Sequence, residues 1–75
     1  MTLAPWSEAQ WKAAAKHMTP KRLRTLRTDR GLSLEQVGQA IGVTKAAVSR
    51  WENDVRVIPK VALRPLYELF DLPEP

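Results

Sequence analysis

Lys and Arg are the most numerous ionisable side chains in this sequence. Twelve of its 75 residues are Lys or Arg and eight are Asp or Glu, which gives a formal net charge of +4. The basic residues are concentrated in one segment and recur towards the C-terminus, as Lys21, Arg22, Arg24, Arg27 and Arg30, then Lys45, Arg50, Arg56, Lys60 and Arg64. A surplus placed in this way favours a polyanionic partner. Net charge alone does not identify that partner, because many small basic proteins bind no anion specifically.

The residues needed for catalysis or metal binding are scarce. The chain has one histidine, His17, no cysteine, and no closely spaced cluster of carboxylates. Without a nucleophile beside a base, or a set of metal ligands, an enzyme is poorly supported. The sequence therefore predicts a binding protein with no catalytic residue, no metal and no cofactor.

Length and composition set the class of molecule. With 75 residues, of which 44% are hydrophobic and 27% charged, the chain is expected to fold as a globular unit. It has no apolar run near the roughly 18 residues that span a bilayer, and no leader that resembles a signal peptide. We expect a cytoplasmic protein with no membrane partner.

Helix start and stop signals recur along the chain, whereas no segment longer than a few residues alternates as a strand does. Ser7 begins a capping box, and Trp6 and Trp11 are spaced as a hydrophobic staple around it. A second helix is predicted from Pro20 to about Arg30, because proline is favoured at the first helical position. These signals predict an all-α fold.

The C-terminal helix is less sharply bounded, because Pro59 and Pro65 both restrict where it can begin. We expect Tyr67 to be partly exposed. The apolar stripe of this helix consists of Leu66, Leu69 and Phe70.

Two short helices with a glycine between them form the clearest motif. Ser33 opens a second capping box, which predicts a helix over about 34–40. Thr44 caps the next helix, expected over 45–53. Gly42 can adopt the left-handed conformation that an abrupt change of direction requires. The pattern predicts a helix-turn-helix, whose second helix fits the DNA major groove, where each base pair presents a distinct set of donors, acceptors and methyl groups.

The segment LRTLRTDRGLSLEQVGQAIGVTKAAVSRWEND resembles the lambda-repressor and Cro-type helix-turn-helix, also called the Xre family. The resemblance implies a compact bundle of four to five helices of the lambda-repressor-like type, with 45–53 as the recognition helix. We expect residues 19–72 to form this DNA-binding domain and residues 1–18 to be a helical extension outside it.

The resemblance also implies roles for individual side chains. Lys45, Ala46 and Arg50 fall where family members touch base edges. Arg50 and Lys45 suit the acceptors of guanine, and the Ala46 methyl suits that of thymine. Phosphate contacts are expected from Thr44, Ser49 and Asn53, and from Arg56 and Lys60 in the following loop. An arginine and a glutamate form a structural ion pair in the family, and here these are Arg27 and Glu52.

Two positions depart from the family pattern. Leu34 stands where many members carry a glutamine that binds phosphate, so that contact is expected to be missing. Gly38 stands where alanine is commoner, and glycine costs about 1 kcal/mol relative to alanine inside a helix. The crossing of the two helices needs a small residue, which either Gly38 or Ala40 could supply.

These inferences predict a sequence-specific DNA-binding transcriptional regulator, a phage or bacterial repressor that binds a two-fold site on double-stranded DNA as a homodimer. The alternative is an antitoxin or a protein-interaction adaptor on the same fold. The helix that carries Trp6 and Trp11 leaves two possibilities open. These side chains either pack on their own domain or form a surface for a dimer or another protein partner.

Overall fold

Five short α-helices, joined by turns and by a longer loop before the last helix, are formed within residues 5–75, the part of the chain that the computed structural model describes. No strand is formed within that range, and the all-α prediction is confirmed. The helices are α1 (Glu8–His17), α2 (Pro20–Asp29), α3 (Leu34–Ile41), α4 (Lys45–Glu52) and α5 (Lys60–Leu69).

Side-chain caps begin four of the five helices. At α1 the Ser7 hydroxyl accepts from the Gln10 amide, and the Ser7 amide donates back to the Gln10 side chain at 2.7 Å. The α3 helix repeats this reciprocal pair with Ser33 and Gln36. Thr19 and Thr44 cap α2 and α4 with their hydroxyl oxygens. Because each cap satisfies amides that have no partner within their helix, the starts of these helices are encoded locally.

The α5 helix begins at Lys60, directly after Pro59, and continues through Pro65. Proline in this position cannot donate to the Val61 carbonyl, which weakens the helix locally. Packing compensates, because one side of α5 is buried against the other helices. The buried side chains of α5 are Ala62, Leu63, Leu66 and Tyr67.

A single apolar core connects all five helices. Its largest fully buried side chains are Phe70, Leu23, Leu66, Val37 and Val48. The segment before α2 adds Trp6, Ala14 and Met18 to the same cluster. The N-terminal helix is thus packed into the core that the later helices share.

Tyr67 is buried, with 6% of its surface exposed, so the expectation that it would be partly exposed is wrong. Trp6 covers it: the two rings meet edge to face with their centroids 5.2 Å apart. Trp11 packs beside Trp6 at 4.8 Å. Edge-to-face and tilted contacts are favourable arrangements for aromatic rings. Trp6 therefore packs on its own chain.

The turn between α3 and α4 brings two backbone segments into contact at Gly38. A Cβ at this position would lie 2.6 Å from the Val43 carbonyl oxygen, closer than a Cβ approaches an atom to which it is not bonded. Ala40, the other small residue of the motif, is exposed, so Gly38 is the residue at the crossing. Gly42 has a φ of 81°, which places it in the left-handed region. The amide of Val43 then donates to the Gly38 carbonyl at 2.8 Å and closes the turn.

We expect Gly38→Ala to destabilise the fold by about 1 to 2 kcal/mol, because the clash with the turn outweighs the gain of about 1 kcal/mol in helix propensity. Thermal unfolding followed by circular dichroism measures the change. The control is Ala40→Gly on the exposed side of the same helix, which reports propensity alone. A higher melting temperature for Gly38→Ala would contradict the close approach.

Candidate nucleic-acid interface

The α4 helix has one buried face and one exposed face. Val48 and Trp51 are buried in the core. Lys45, Ala46 and Arg50 are exposed to solvent. At 3.6 residues per turn these three positions fall on one side of the helix. Core packing therefore fixes which side of α4 remains free to meet a partner.

Four of the five side chains expected at phosphates belong to α4, its two caps or the loop directly after it. Thr44 and Asn53, at the two ends of α4, are exposed, and Ser49 is half-buried. The Thr44 oxygen accepts from the Ala47 amide at 3.2 Å, so its hydroxyl hydrogen remains available as a donor. Arg56 is exposed in the loop that follows α4, whereas Lys60, which was expected in that loop, is the exposed first residue of α5. The structure thus places Thr44, Ser49 and Asn53 along α4 and Arg56 in the loop directly after it.

Arg27 and Glu52 are joined by a buried, bidentate ion pair. The Arg27 Nε donates to Glu52 Oε2 at 2.6 Å, and its Nη2 donates to Oε1 at 2.9 Å. The Glu52 side chain is only 2% exposed and that of Arg27 15%. A third guanidinium hydrogen bond reaches the Leu32 carbonyl at 3.0 Å. This bidentate ion pair connects the last turn of α2 to the end of α4.

Hydrogen bonding to Glu52, assisted by the attraction of its charge and opposed by burial, raises the pKa of Arg27 above its ordinary value. A raised pKa favours the charged form of the guanidinium in the folded state. The stability it contributes is complete below the ordinary pKa and is lost only as pH rises through the folded one. Arg27 therefore stays charged across the neutral range.

Arg24 shares the same carboxylate, which the sequence did not indicate. Its Nε donates to Glu52 Oε1 at 3.3 Å and its Nη2 donates to Asn53 Oδ1 at 3.1 Å. The side-chain nitrogen of Asn53, Nδ2, in turn donates to the Ser49 carbonyl at 2.8 Å and lies 3.3 Å from the Ser49 hydroxyl oxygen. Spacing along α2 could have shown that Arg24 and Arg27 share a side, but not that both meet Glu52.

Lys60 lies against the N-terminal helix as well as beside the loop. Its ammonium nitrogen is 5.0 Å from the centre of the Trp11 ring. A cation over the face of an indole is attracted by the ring's negative charge density. The position of Lys60 therefore depends in part on α1, which the sequence did not predict.

Two other basic residues, Arg30 and Arg64, make contacts within the fold. Arg30 donates to the Phe70 carbonyl at 2.7 Å, at the C-terminal end of α5, and its guanidinium lies over the Phe70 ring. Arg64 forms an ion pair with Glu68 at 3.6 Å. The basic surplus is therefore divided between structural contacts and the exposed surface around α4.

Leu34, at the first position of α3, is half-buried and packs against the core. An apolar side chain in this position offers no hydrogen bond to phosphate. Within residues 5–75, no group of acidic, histidine or cysteine side chains is arranged to hold a metal ion. None of the helices in that range is long and apolar enough to cross a membrane.

A capped helix, a left-handed glycine turn and a second helix with an exposed polar face together define the helix-turn-helix class of DNA-binding domain. The chain belongs to this class by sequence as well: the family model described as "Helix-turn-helix domain" matches residues 21–75. Comparison with the curated proteins and with the solved structures gives no match. Helix α1 lies before the matched residues.

We expect Glu52→Ala to lower the free energy of unfolding by about 3 kcal/mol, because it leaves the Arg27 charge buried without its partner. Chemical denaturation measures the change. Glu52→Gln should cost less, since it keeps the shape and one acceptor. Lys45→Ala is the control, because an exposed charge should change stability by no more than about 0.5 kcal/mol. Equal stability of Glu52→Ala and the wild type would be inconsistent with a structural role for this ion pair.

Proposed function

We propose that this protein is a sequence-specific transcriptional regulator of the lambda-repressor and Cro type, the Xre family, and that it acts as a repressor of phage or bacterial genes. The observation that carries the proposal is the exposed row of Lys45, Ala46 and Arg50 on a helix whose opposite face is held in the core. A helix presented in this way can enter the major groove without refolding. In this proposal residues 19–72 bind DNA and residues 1–18 are an extension that supports them.

Each of the three proposed reading residues has a chemistry suited to a base edge. Arg50 can donate two hydrogen bonds to the O6 and N7 acceptors of guanine, and Lys45 can reach the same acceptors. The methyl group of Ala46 suits contact with the methyl group of thymine. Bidentate contacts discriminate between bases by about 1 to 3 kcal/mol each, so Arg50 carries the largest share of the proposed specificity.

The proposed phosphate contacts surround these reading residues. Thr44 lies at the start of α4, with Ser49 and Asn53 towards its end. Arg56 follows in the loop, and Lys60 begins α5. Contacts to phosphate fix the position of a protein on the duplex but carry no sequence information. Their contribution falls as salt concentration rises, because each one releases condensed counterions.

We propose that the protein binds DNA as a homodimer through the loop that leaves α4 and the first turn of α5. Val55, Val57 and Val61 lie there with 66%, 88% and 82% of their surface exposed. Half-sites one helical turn apart place two copies on the same face of the duplex. Covering these valines between the two copies would stabilise the pair.

The alternative function is an antitoxin or adaptor that uses the same fold to bind another protein. The exposed valines are the observation that favours it, because they would then contact a different chain. Trp6 is buried against α5, which makes the N-terminal helix a weaker candidate for that contact. Purified protein that binds duplex DNA with a steep salt dependence would favour the regulator.

Selection of binding sites from random DNA tests the reading residues. Arg50→Ala should weaken binding to the selected site by about 1 to 3 kcal/mol and relax the preference at one base pair. Lys60→Ala should weaken binding to all DNA sequences by a similar factor and leave the selected motif unchanged. If Arg50→Ala retained both the motif and the affinity, the proposed register of α4 on the bases would be wrong.

The dimer is tested with Val57→Ser and Val61→Ser. Both variants should bind a full two-fold site less cooperatively, because less apolar surface is covered between the copies. Binding to a duplex with one half-site is the internal control and should be unchanged. Light scattering gives the stoichiometry on each duplex. A single copy of wild-type protein on the full site at saturation would rule out the proposed dimer.

A further inference from the structure

We infer that Arg24, on α2, binds a DNA phosphate, and that Asn53 acts by positioning Arg24. The inference rests on the proposed function, and it concerns a residue that lies outside the helix-turn-helix pair itself. For Asn53 it replaces the direct phosphate contact that the family resemblance implies, and that the proposed function adopts, with an indirect role. The hydrogen bonds around Asn53 are the observation that separates the two roles.

The donors of Asn53 are directed towards its own helix. Its side-chain nitrogen donates to the Ser49 carbonyl at 2.8 Å and lies 3.3 Å from the Ser49 hydroxyl oxygen. Its oxygen accepts from Arg24 Nη2 at 3.1 Å. A phosphate oxygen can only accept, so it needs a donor. Asn53 would have to give up contacts with Ser49 to provide one.

Arg24 has N–H donors that are not used in its hydrogen bonds to Glu52 and Asn53. A guanidinium carries N–H groups on three nitrogens, and Arg24 uses its Nε for Glu52 and its Nη2 for Asn53. Among residues 5–75 its Nη1 donates to no protein atom by hydrogen bond. The side chain is 53% exposed. Part of the guanidinium is therefore fixed by the protein while the remainder faces solvent beside the end of α4.

The local charge balance favours an anion at Arg24. Two guanidinium groups share the single carboxylate of Glu52, which leaves one net positive charge. Arg27 is the more buried partner and makes the shorter, bidentate contact. The uncompensated charge therefore lies on Arg24, at the exposed side of the cluster. A guanidinium oriented before binding loses less side-chain entropy when a phosphate arrives.

The inference is tested by measuring how the affinity for a fluorescein-labelled duplex depends on salt. Wild-type protein is compared with Arg24→Gln and with the control Arg30→Gln, which removes the same charge at the C-cap of the same helix, where Arg30 contacts Phe70. If Arg24 binds a phosphate, the slope of log K against log salt should fall by about 0.9 for Arg24→Gln and remain near the wild-type value for Arg30→Gln. Arg24→Lys, which keeps the charge, should retain most of the slope. Circular dichroism checks that each variant is folded.

A double-mutant cycle tests the role of Asn53. If Asn53 acts through Arg24, Asn53→Ala should weaken binding in the wild-type background and have almost no effect in the Arg24→Gln background. Independent phosphate contacts would give additive losses instead, which would overturn the positioning role.

The outcomes separate this inference from the proposed function. Absence of salt-dependent DNA binding by the wild-type protein would remove the proposed function and the inference together. Salt-dependent wild-type binding, with equal slopes for Arg24→Gln and Arg30→Gln, would leave the function intact and overturn the role of Arg24. A lower melting temperature for Arg24→Gln with an unchanged slope would mean that Arg24 only braces Glu52.

Discussion

The contact between two backbone segments at Gly38 determines how α4 follows α3, and therefore which side of α4 is exposed. Because the carbonyl of Val43 occupies the space where a side chain would begin, α3 and the turn can approach more closely than any other residue would allow. That approach sets the path of the chain into α4. The apolar side of α4 then reaches the core, and the opposite side is left in solvent.

Electrostatics reinforces the same arrangement from the other end of α4. Glu52 is buried and draws two arginines of α2 towards it, which connects two helices that are distant in sequence. Burying a carboxylate is costly unless it is paired, so this cluster forms only when α2 and α4 are correctly packed. The basic surplus seen in the composition is thereby divided: some arginines hold the fold, and others remain on the surface that would meet an anion.

Features that depend on neighbouring residues could be predicted from the sequence. The capping boxes at Ser7 and Ser33 and the left-handed turn at Gly42 are local, and the exposed side of α4 follows from its period. Features that require a distant partner were missed. Tyr67 is buried because Trp6 folds onto it, and Arg24 meets Glu52 only after α2 and α4 pack. Pro65 also gave a misleading signal, since packing outweighs the missing hydrogen bond within α5.

The contribution of α1 to the core has a practical consequence. A fragment cut at the limits of the family match would begin at Lys21 and would lose Trp6, Ala14 and Met18, three of the twelve buried apolar residues. Their partners on α5, Tyr67 among them, would be uncovered. In so small a domain the remaining core has little stability in reserve. The recognisable motif is thus smaller than the cooperative folding unit, and deletions intended to isolate it would uncover an aggregation-prone surface.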